Sequence, residues 1–258
     1  VGPVASMVKW VDRPNAEAAV SMLMKDVVIR HAFEDCVDIP PNHQYSVSFE
    51  LTKKHFAHYK ELEDTSILEL KNSTVSAING AVLYTKLLQT ASGAVYDDSG
   101  AYSLIASERY EMILDLVEAR KHSIVFFNWT HQRDELLKLA AARGITFTLI
   151  DGSTTQKQRD ESVQHYQAGF YQVLFAHPAS AGHGLTLTRG TATIWASPTP
   201  NLEHYLQGLK RIHRIGQKEK TETIVIIAKD TVDERVWASL QNKQVNMKSL
   251  LQFLKDQK

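Results

Sequence analysis

Residues 124–150 of the sequence are IVFFNWTHQRDELLKLAAARGITFTLI, a stretch in which a helical pattern separates two short apolar runs. The apolar residues of the middle segment, such as Leu136, Leu139 and Ala140, recur at helical spacing, whereas the flanking runs are rich in β-branched and aromatic residues. Gly144 follows the helical pattern at a position typical of a helix C-terminus. The stretch therefore predicts a helix between two buried strands.

The same alternation continues to the end of the chain. Further strands are predicted at residues 173–175, 193–195 and 224–227, and further helices at residues 155–168, 202–213 and 232–254. Strands that alternate with helices predict a doubly wound parallel α/β sheet with helices on both faces. We expect this sheet domain to span residues 106–258.

Residues 1–105 follow a different pattern, which predicts a mostly helical N-terminal extension. Helical spacing recurs at residues 16–25, 52–62 and 74–90. Gln44–Leu51 is an extended piece, and Gly93–Gly100, which contains Ser, Asp and Gly residues, predicts a loop. We expect a helical layer that packs on the sheet or leads into it, not a second catalytic domain.

The overall composition is that of a globular chain without a charge bias. Apolar residues make up 43% of the 258 residues, and 29 Lys and Arg balance 29 Asp and Glu. Because the net charge is zero, binding to a nucleic acid would require a local positive patch. The single cysteine, Cys36, excludes an intramolecular disulfide and a Cys-rich zinc site.

The sequence also bears on location. No apolar run approaches the roughly 18–20 residues that a membrane span requires, and the N-terminus lacks the layout of a signal peptide. We therefore expect an intracellular protein that makes no membrane contact. The chain begins with Val1-Gly2-Pro3 instead of methionine, which suggests a cut fragment or a tag remnant.

The segment QGLKRIHRIGQ, residues 207–217, ends a predicted helix and carries the strongest functional signal. Arg211 and Arg214 are three residues apart, so they lie on one helical face. Two guanidinium groups can stabilise the negative charge that develops on a transferred phosphoryl group. A solvated basic helix end is the other explanation, and from the arginines alone it is the commoner one.

A second segment, HPASAGHGLTL at residues 177–187, directly follows a predicted strand. Gly182 and Gly184 would let backbone N–H groups approach a phosphate closely, and ligands of open α/β sheets bind at the carboxyl ends of the strands. A plain turn is the alternative explanation of the two glycines. His177 and His183 lack a third ligand at a fitting spacing, so no metal site is predicted.

The pattern QxxxRxHRIGQ resembles the last helicase motif of Swi/Snf-type ATPases in helicase superfamily two, and the segment at residues 177–187 resembles the penultimate motif, AGGxGLNL. The sequence departs from the family pattern at Ala181, Thr186 and Pro200. The segment HPASAGHGL, residues 177–185, looks most like the corresponding segment of phage and prophage members of the family. The resemblance implies a C-terminal RecA-like lobe in which Arg211 and Arg214 are arginine fingers toward the γ-phosphate of ATP. It also implies that Gln207, Gly182 and Gly184 lie in the ATP cleft.

Polar residues after other predicted strands complete the resemblance. Asp151-Gly152-Ser153-Thr154, followed by Arg159, resembles the DGSTxxxxR segment of the family, and Asn128-Trp129 matches a position that faces the nucleic acid. A helix N-terminus with hydroxyl side chains offers donors to a phosphate, although an ordinary capped helix start is equally typical of these residues. The expected contacts with the backbone of double-stranded DNA are Asn128, Trp129, Gly152, Ser153, Arg159, His177 and Ser180.

Two features of a complete ATP site are absent from the sequence. Neither GxxxxGK[ST] nor an acidic box at a strand end occurs, and Asp134-Glu135 and Asp233-Glu234 read as favourable helix-start charges. We therefore expect ATP and Mg²⁺ to be bound mainly by an N-terminal RecA-like lobe, upstream or in another chain. This chain alone should be inactive.

One rival interpretation of the same residues stays open. It is a non-catalytic module with a RecA-like fold that binds a nucleic acid or a protein. A Rossmann-type cofactor enzyme is excluded, because no GxGxxG opens a helix after the first strand. The cytoplasm of a bacterial or phage-infected cell is a more fitting location than a nucleus.

Overall fold

The computed structural model describes residues 13–24, 38–72, 77–181 and 184–256, so Cys36 lies outside the described residues. The described strands are β1 (Asn42–Phe49), β2 (Ala94–Tyr96), β3 (Tyr102–Leu104), β4 (Ser123–Phe126), β5 (Phe147–Ile150), β6 (Val173–Ala176), β7 (Ala192–Trp195) and β8 (Thr221–Ala228). The described helices are α1 (Ala16–Met24), α2 (Lys53–Asn72), α3 (Ala77–Ala91), α4 (Glu108–Glu118), α5 (Thr130–Ala142), α6 (Gln156–Ala168), α7 (Leu202–Ile212) and α8 (Val232–Asp256).

Six of these strands form one parallel sheet in the order β1-β8-β7-β4-β6-β5. Strands β4, β6 and β7 are buried on both faces, because helices cover both sides of the sheet. This arrangement confirms the predicted RecA-like, doubly wound α/β fold.

The two faces of the sheet carry separate cores. On one face, Phe126 and Trp195 pack against Tyr205 and Leu209 of α7. On the other face, Val125 and its neighbours pack against α4 and α5. Because successive side chains of a strand point to opposite faces, each short apolar run contributes to both cores.

Strand β1 is an addition to the predicted sheet. Its eight residues pair in parallel with β8, from Asn42 opposite Thr221 to Phe49 opposite Ala228. The extended character of Gln44–Leu51 is thus correct, but the segment is an edge strand of the main sheet. The proposed domain boundary at residue 105 stays a prediction, with β1 on one side of it and its partner strand on the other.

The predicted loop at Gly93–Gly100 is partly wrong, because Ala94–Tyr96 forms β2 and pairs with β3 as an antiparallel hairpin. The side chain of Asp97 orders the connecting turn by accepting hydrogen bonds from the N–H groups of Ser99, at 2.9 Å, and Ala101, at 3.0 Å. Strands of three residues are too short for a periodic pattern, which is why the sequence did not indicate them.

A buried ion pair joins two helices of the sheet domain, and its arginine also bonds to the helical extension and to the residue after β7. Nη2 of Arg109, on α4, lies 2.6 Å from Oδ2 of Asp233, at the start of α8. Nη1 of Arg109 donates to the carbonyl of Ala196 at 2.8 Å, and Nη2 donates to that of Ala91 at 3.0 Å. The interpretation of Asp233 as a helix-start charge is therefore incomplete, because its carboxylate mainly neutralises a buried arginine. Among the described residues, no helix is both long and apolar enough to cross a membrane.

Candidate functional site

Helix α7, called the arginine helix below, follows β7 and lies tightly on the sheet. The side chain of Asn201 caps its start by accepting a hydrogen bond from the N–H of His204 at 3.1 Å. Gly208 faces the sheet, where a Cβ atom would lie only 2.7 Å from Cζ2 of Trp195. The glycine therefore sets how closely this helix approaches the strands.

Arg211 lies in the last turn of the arginine helix and Arg214 lies two residues beyond its end, so the prediction that both share one helical face is wrong. Both side chains nevertheless reach the segment that follows β6. Nη1 of Arg211 and Nη1 of Arg214 donate to the same acceptor, the carbonyl of Leu185, at 3.4 Å and 3.2 Å. Arg211 is buried and Arg214 is partly exposed. Burial, followed by the positive charge of Arg214, lowers the pKa of Arg211, which still remains charged at neutral pH. Two cations are thus held side by side, an arrangement suited to a ligand with several negative charges.

Gly182, Gly184 and Gln207 are the other residues predicted to lie in the ATP cleft. Gly184 is exposed and has a φ of 68°, and a Cβ atom there would meet nothing within 4 Å. Gly182 and His183 lie outside the described residues. Gln207 is partly exposed, and its Nε2 donates to Glu203 within the helix at 2.9 Å. The structure therefore brings Arg211, Arg214 and the Gly184–Leu185 segment together, beside open space.

Six of the seven predicted DNA contacts line one cleft of about 490 Å³, which we call the carboxyl-edge cleft. It lies where β4, β5 and β6 end. The six residues are Asn128, Trp129, Gly152, Ser153, His177 and Ser180. Arg159 is not among the lining residues. The carboxyl ends of neighbouring parallel strands meet at one edge of the sheet, which brings these separate segments together.

The charges in the carboxyl-edge cleft are balanced. Nη1 of Arg133 lies 3.1 Å from Oδ2 of Asp151, and Oδ1 of Asp151 accepts hydrogen bonds from the N–H and the hydroxyl of Ser153 at 2.9 and 2.6 Å. Burial acts to raise the pKa of Asp151, but the hydrogen bonds from Ser153 and the contact with Arg133 hold it below its usual value. The donors of Ser153 are therefore engaged within the loop.

Asn128 and Trp129 also have roles within the protein. Nδ2 of Asn128 donates to Oγ of Ser197 at 3.0 Å, which ties the end of β4 to the end of β7. Trp129 packs on a small core that includes Tyr59 and Val232. For Trp129, the structure thus shows the core or rim position that is common for a tryptophan at a strand end.

His177 is half-buried in the same cleft, with its ring centroid 5.9 Å from that of Phe127. Burial, followed by the nearby His204, lowers the pKa of His177, so the imidazole is neutral at pH 7. Among the residues that the structure describes, no three His, Cys, Asp or Glu side chains are grouped so that they could hold a metal ion.

Comparison with known proteins gives a consistent result. Residues 108–216 match the family model described as "Helicase conserved C-terminal domain". The chain is 30% identical over 249 residues to "Putative protein p41" of Acyrthosiphon pisum secondary endosymbiont phage 1, an alignment that covers 93% of this chain and 52% of that protein. It is 27% identical over 211 residues to an "Uncharacterized ATP-dependent helicase" of Mycoplasma pneumoniae, which covers 80% of this chain and 20% of that protein.

Two further matches agree with these. The chain is 26% identical over 145 residues to "Chromodomain-helicase-DNA-binding protein 1-like" of Danio rerio, covering 56% of this chain and 14% of that protein. The solved C-terminal part of the Fun30 ATPase domain superposes with a TM-score of 0.65 at 14% identity, covering 79% of this chain and 90% of that structure. The chain thus spans about half the length of the phage protein and a smaller part of the other two relatives.

Proposed function

We propose that this chain, whose residues 108–216 match the helicase conserved C-terminal domain, is the second motor lobe of a Swi/Snf-type DNA-dependent ATPase. In this function the lobe closes on an N-terminal RecA-like lobe, supplies arginines to the phosphates of ATP, and grips one strand of duplex DNA. Alternation between closed and open states then moves the protein along the duplex.

One observation carries the proposal: Arg211 and Arg214 converge on the carbonyl of Leu185, next to the exposed Gly184. A hydrogen-bonded carbonyl fixes the direction of each guanidinium group, and fixed cations stabilise charge in a transition state better than mobile ones. Open space beside Gly184 gives a polyphosphate room to approach. These features support the role of both residues as arginine fingers.

The substrate is ATP, and Mg²⁺ would neutralise charge on its phosphates. We assign the main binding of both to the N-terminal lobe, because the sequence of this chain contains neither a phosphate-binding loop nor an acidic box. The residues of this chain act from the opposite side. Arg211 and Arg214 contact the terminal phosphate, while Gly184 and Gln207 border the cleft. The same role for Gly182 stays a prediction from the motif.

The carboxyl-edge cleft is the proposed DNA track. Gly152 is exposed on its rim, and a Cβ atom there would meet nothing within 4 Å, so a sugar-phosphate backbone can approach the main chain closely. Contacts of this kind are independent of base sequence. The balanced pair of Arg133 and Asp151 adds no net charge, which supports weak binding by this lobe alone. The relative from a phage supports the cytoplasm of a bacterial or phage-infected cell as the place of action.

The arginine fingers are tested in the protein that contains both lobes. We expect Arg211→Ala and Arg214→Ala each to lower ATP turnover by a factor of roughly 10³ or more, with little change in DNA affinity. Arg143→Ala is the matched control, since Arg143 pairs with surface carboxylates such as Asp115. Turnover like that of the wild type in both variants would mean that the two arginines form only a solvated basic helix end. That result would favour the non-catalytic module.

The isolated chain gives a second test. We expect no ATP turnover above background and weak binding of duplex DNA, with dissociation constants on the order of 10⁻⁴–10⁻⁶ M near physiological salt. Affinities for two duplexes of unrelated sequence should be equal and fall steeply with salt, and Ser153→Glu should weaken both. DNA-stimulated phosphate release by this chain, abolished by Arg214→Ala, would contradict the division between the lobes. A sequence-selective isotherm, or binding unaffected by Ser153→Glu, would exclude this cleft as the track.

A further inference from the structure

A larger cleft, of about 900 Å³, lies at the opposite edge of the sheet. Its lining residues come from the segments directly before β4, β7 and β8 and from the start of β1. We call it the amino-edge cleft. It is distant in the fold from the carboxyl ends of the strands, where the proposed DNA track lies, so it needs its own explanation.

The lining of the amino-edge cleft is strongly cationic. Lys121, Arg189, Lys218 and Lys220 contribute exposed positive charges. None of the four lies within ion-pair distance of a carboxylate in the parts of the chain that the structure describes. A fifth cation, Arg120, is neutralised by Glu222, 2.5 Å away. The lining also contains the exposed carboxylate of Glu219, so the four cations leave an excess of three positive charges. In a chain of zero net charge, this excess in one cleft is the local positive patch that nucleic-acid binding requires.

The cationic segments are held in place by Gln217. Its Nε2 donates to the carbonyls of Thr188 and Gly190, both at 3.0 Å, and its Oε1 accepts from the N–H groups of Lys218 and Glu219, both at 2.9 Å. The loop that carries Arg189 is therefore bonded to the loop that carries Lys218. Fixed loops lose less conformational entropy on binding a ligand than mobile ones.

The surface fits a phosphate backbone better than a peptide. Ala119 is the single apolar residue among those that line the cleft, so a peptide would find no apolar anchor there. Phosphate recognition needs only positive charge and hydrogen-bond donors, which lysine and arginine side chains provide. Lysine carries a compact charge on a flexible four-carbon stem, so the exposed lysines can reach neighbouring phosphates of one backbone.

We propose that the amino-edge cleft is a second DNA-binding site, which holds the phosphate backbone of a duplex segment separate from the one in the carboxyl-edge cleft. The inference rests on the proposed DNA partner but not on the arginine fingers. The lobe would then contact two DNA segments at opposite edges of its sheet. Its positive charge makes this cleft the main source of the salt dependence of DNA binding by the chain.

The test is a comparison of two charge-reversal variants of the chain, titrated with a labelled duplex at several salt concentrations. Lys218→Glu/Lys220→Glu should weaken binding about tenfold or more. It should also make the negative slope of log K against log salt shallower by about 2, which is close to one for each lost phosphate contact. The matched control is Lys54→Glu/Lys86→Glu, which changes the net charge equally at exposed positions that line neither cleft. The control should keep the slope of the wild type.

A footprint locates the contact without any variant. Duplex DNA should reduce the acetylation of Lys121, Lys218 and Lys220 severalfold, while Lys86 stays as reactive as in the free chain. Equal effects of the two charge reversals, or unchanged acetylation of the three lysines, would overturn the second site while leaving the carboxyl-edge track in place. Displacement by a poly-glutamate peptide with no protection by DNA would identify a site for acidic proteins instead. No duplex binding at all would overturn both proposals.

Discussion

Gly208 offers a direct test of how the arginine helix is seated, through the variant Gly208→Ala. The new Cβ atom would lie 2.7 Å from Cζ2 of Trp195 and 3.0 Å from Cε2 of Phe126, in a core where both rings are at most 1% exposed. Carbon atoms in contact are about 3.5–4.0 Å apart, so the helix must move outward by about 1 Å. Overpacking costs about 3 kcal/mol at the upper end of its range, against about 1 kcal/mol gained from the helix propensity of alanine.

We therefore expect Gly208→Ala to lower the free energy of unfolding by about 2 kcal/mol, measured by urea denaturation followed by circular dichroism. Trp195→Phe removes the nearer ring atom, so the double variant should be more stable than the sum of the single changes predicts, by about 1–2 kcal/mol. In the protein with both lobes, a shift of about 1 Å at Arg211 should lower ATP turnover by about 10²-fold. Wild-type stability of Gly208→Ala, or strictly additive effects, would refute the tight seating.

Two further predictions concern buried titratable groups. Burial lowers the pKa of His131 to about 3, so the unfolded chain binds a proton below about pH 6.5 that the folded chain does not, and stability should fall by about 2 kcal/mol from pH 6.5 to 5. His131→Gln should lack this part of the pH dependence, and an unchanged slope in urea unfolding would contradict the assignment. Asp233→Asn should cost about 3–5 kcal/mol, because it leaves Arg109 buried without its counter-charge, whereas Asp115→Asn at the exposed Arg143 cluster should cost at most about 1 kcal/mol. If the same denaturation assay gives equal losses of unfolding free energy for the two variants, burial does not determine how much the pair of Arg109 and Asp233 contributes to stability.

The sequence predicted the central strands because each is buried on both faces and therefore consists of apolar residues. It did not predict that β1 joins the sheet, since an edge strand such as NHQYSVSF carries mostly polar side chains and its pairing depends on a distant segment. The ion pair of Arg109 and Asp233 could not be predicted either, because its two residues are far apart in the sequence. Each residue alone resembles an ordinary surface charge near a helix start.

The candidate sites show a similar division. Polar residues at the carboxyl ends of strands were predicted to converge, and parallel topology requires that they do. The sequence could not reveal that Ser153 already bonds to Asp151 or that Asn128 bonds to Ser197, because these contacts depend on loop conformation. The amino-edge cleft was missed entirely. Its cations come from separate segments of the chain, each of which has an unremarkable charge pattern.

The position of β1 has a consequence for how the chain folds during synthesis. Asn42 bonds to Thr223, 181 residues later, so at about 5–20 residues per second the strand waits roughly 10–35 s for its partner. An unpaired strand is an aggregation hazard when it is apolar. Serine, histidine, asparagine and glutamine make up most of β1, which keeps it hydrated while the ribosome completes β8. We expect the rest of the sheet to assemble first, and β1 to dock last on its exposed edge.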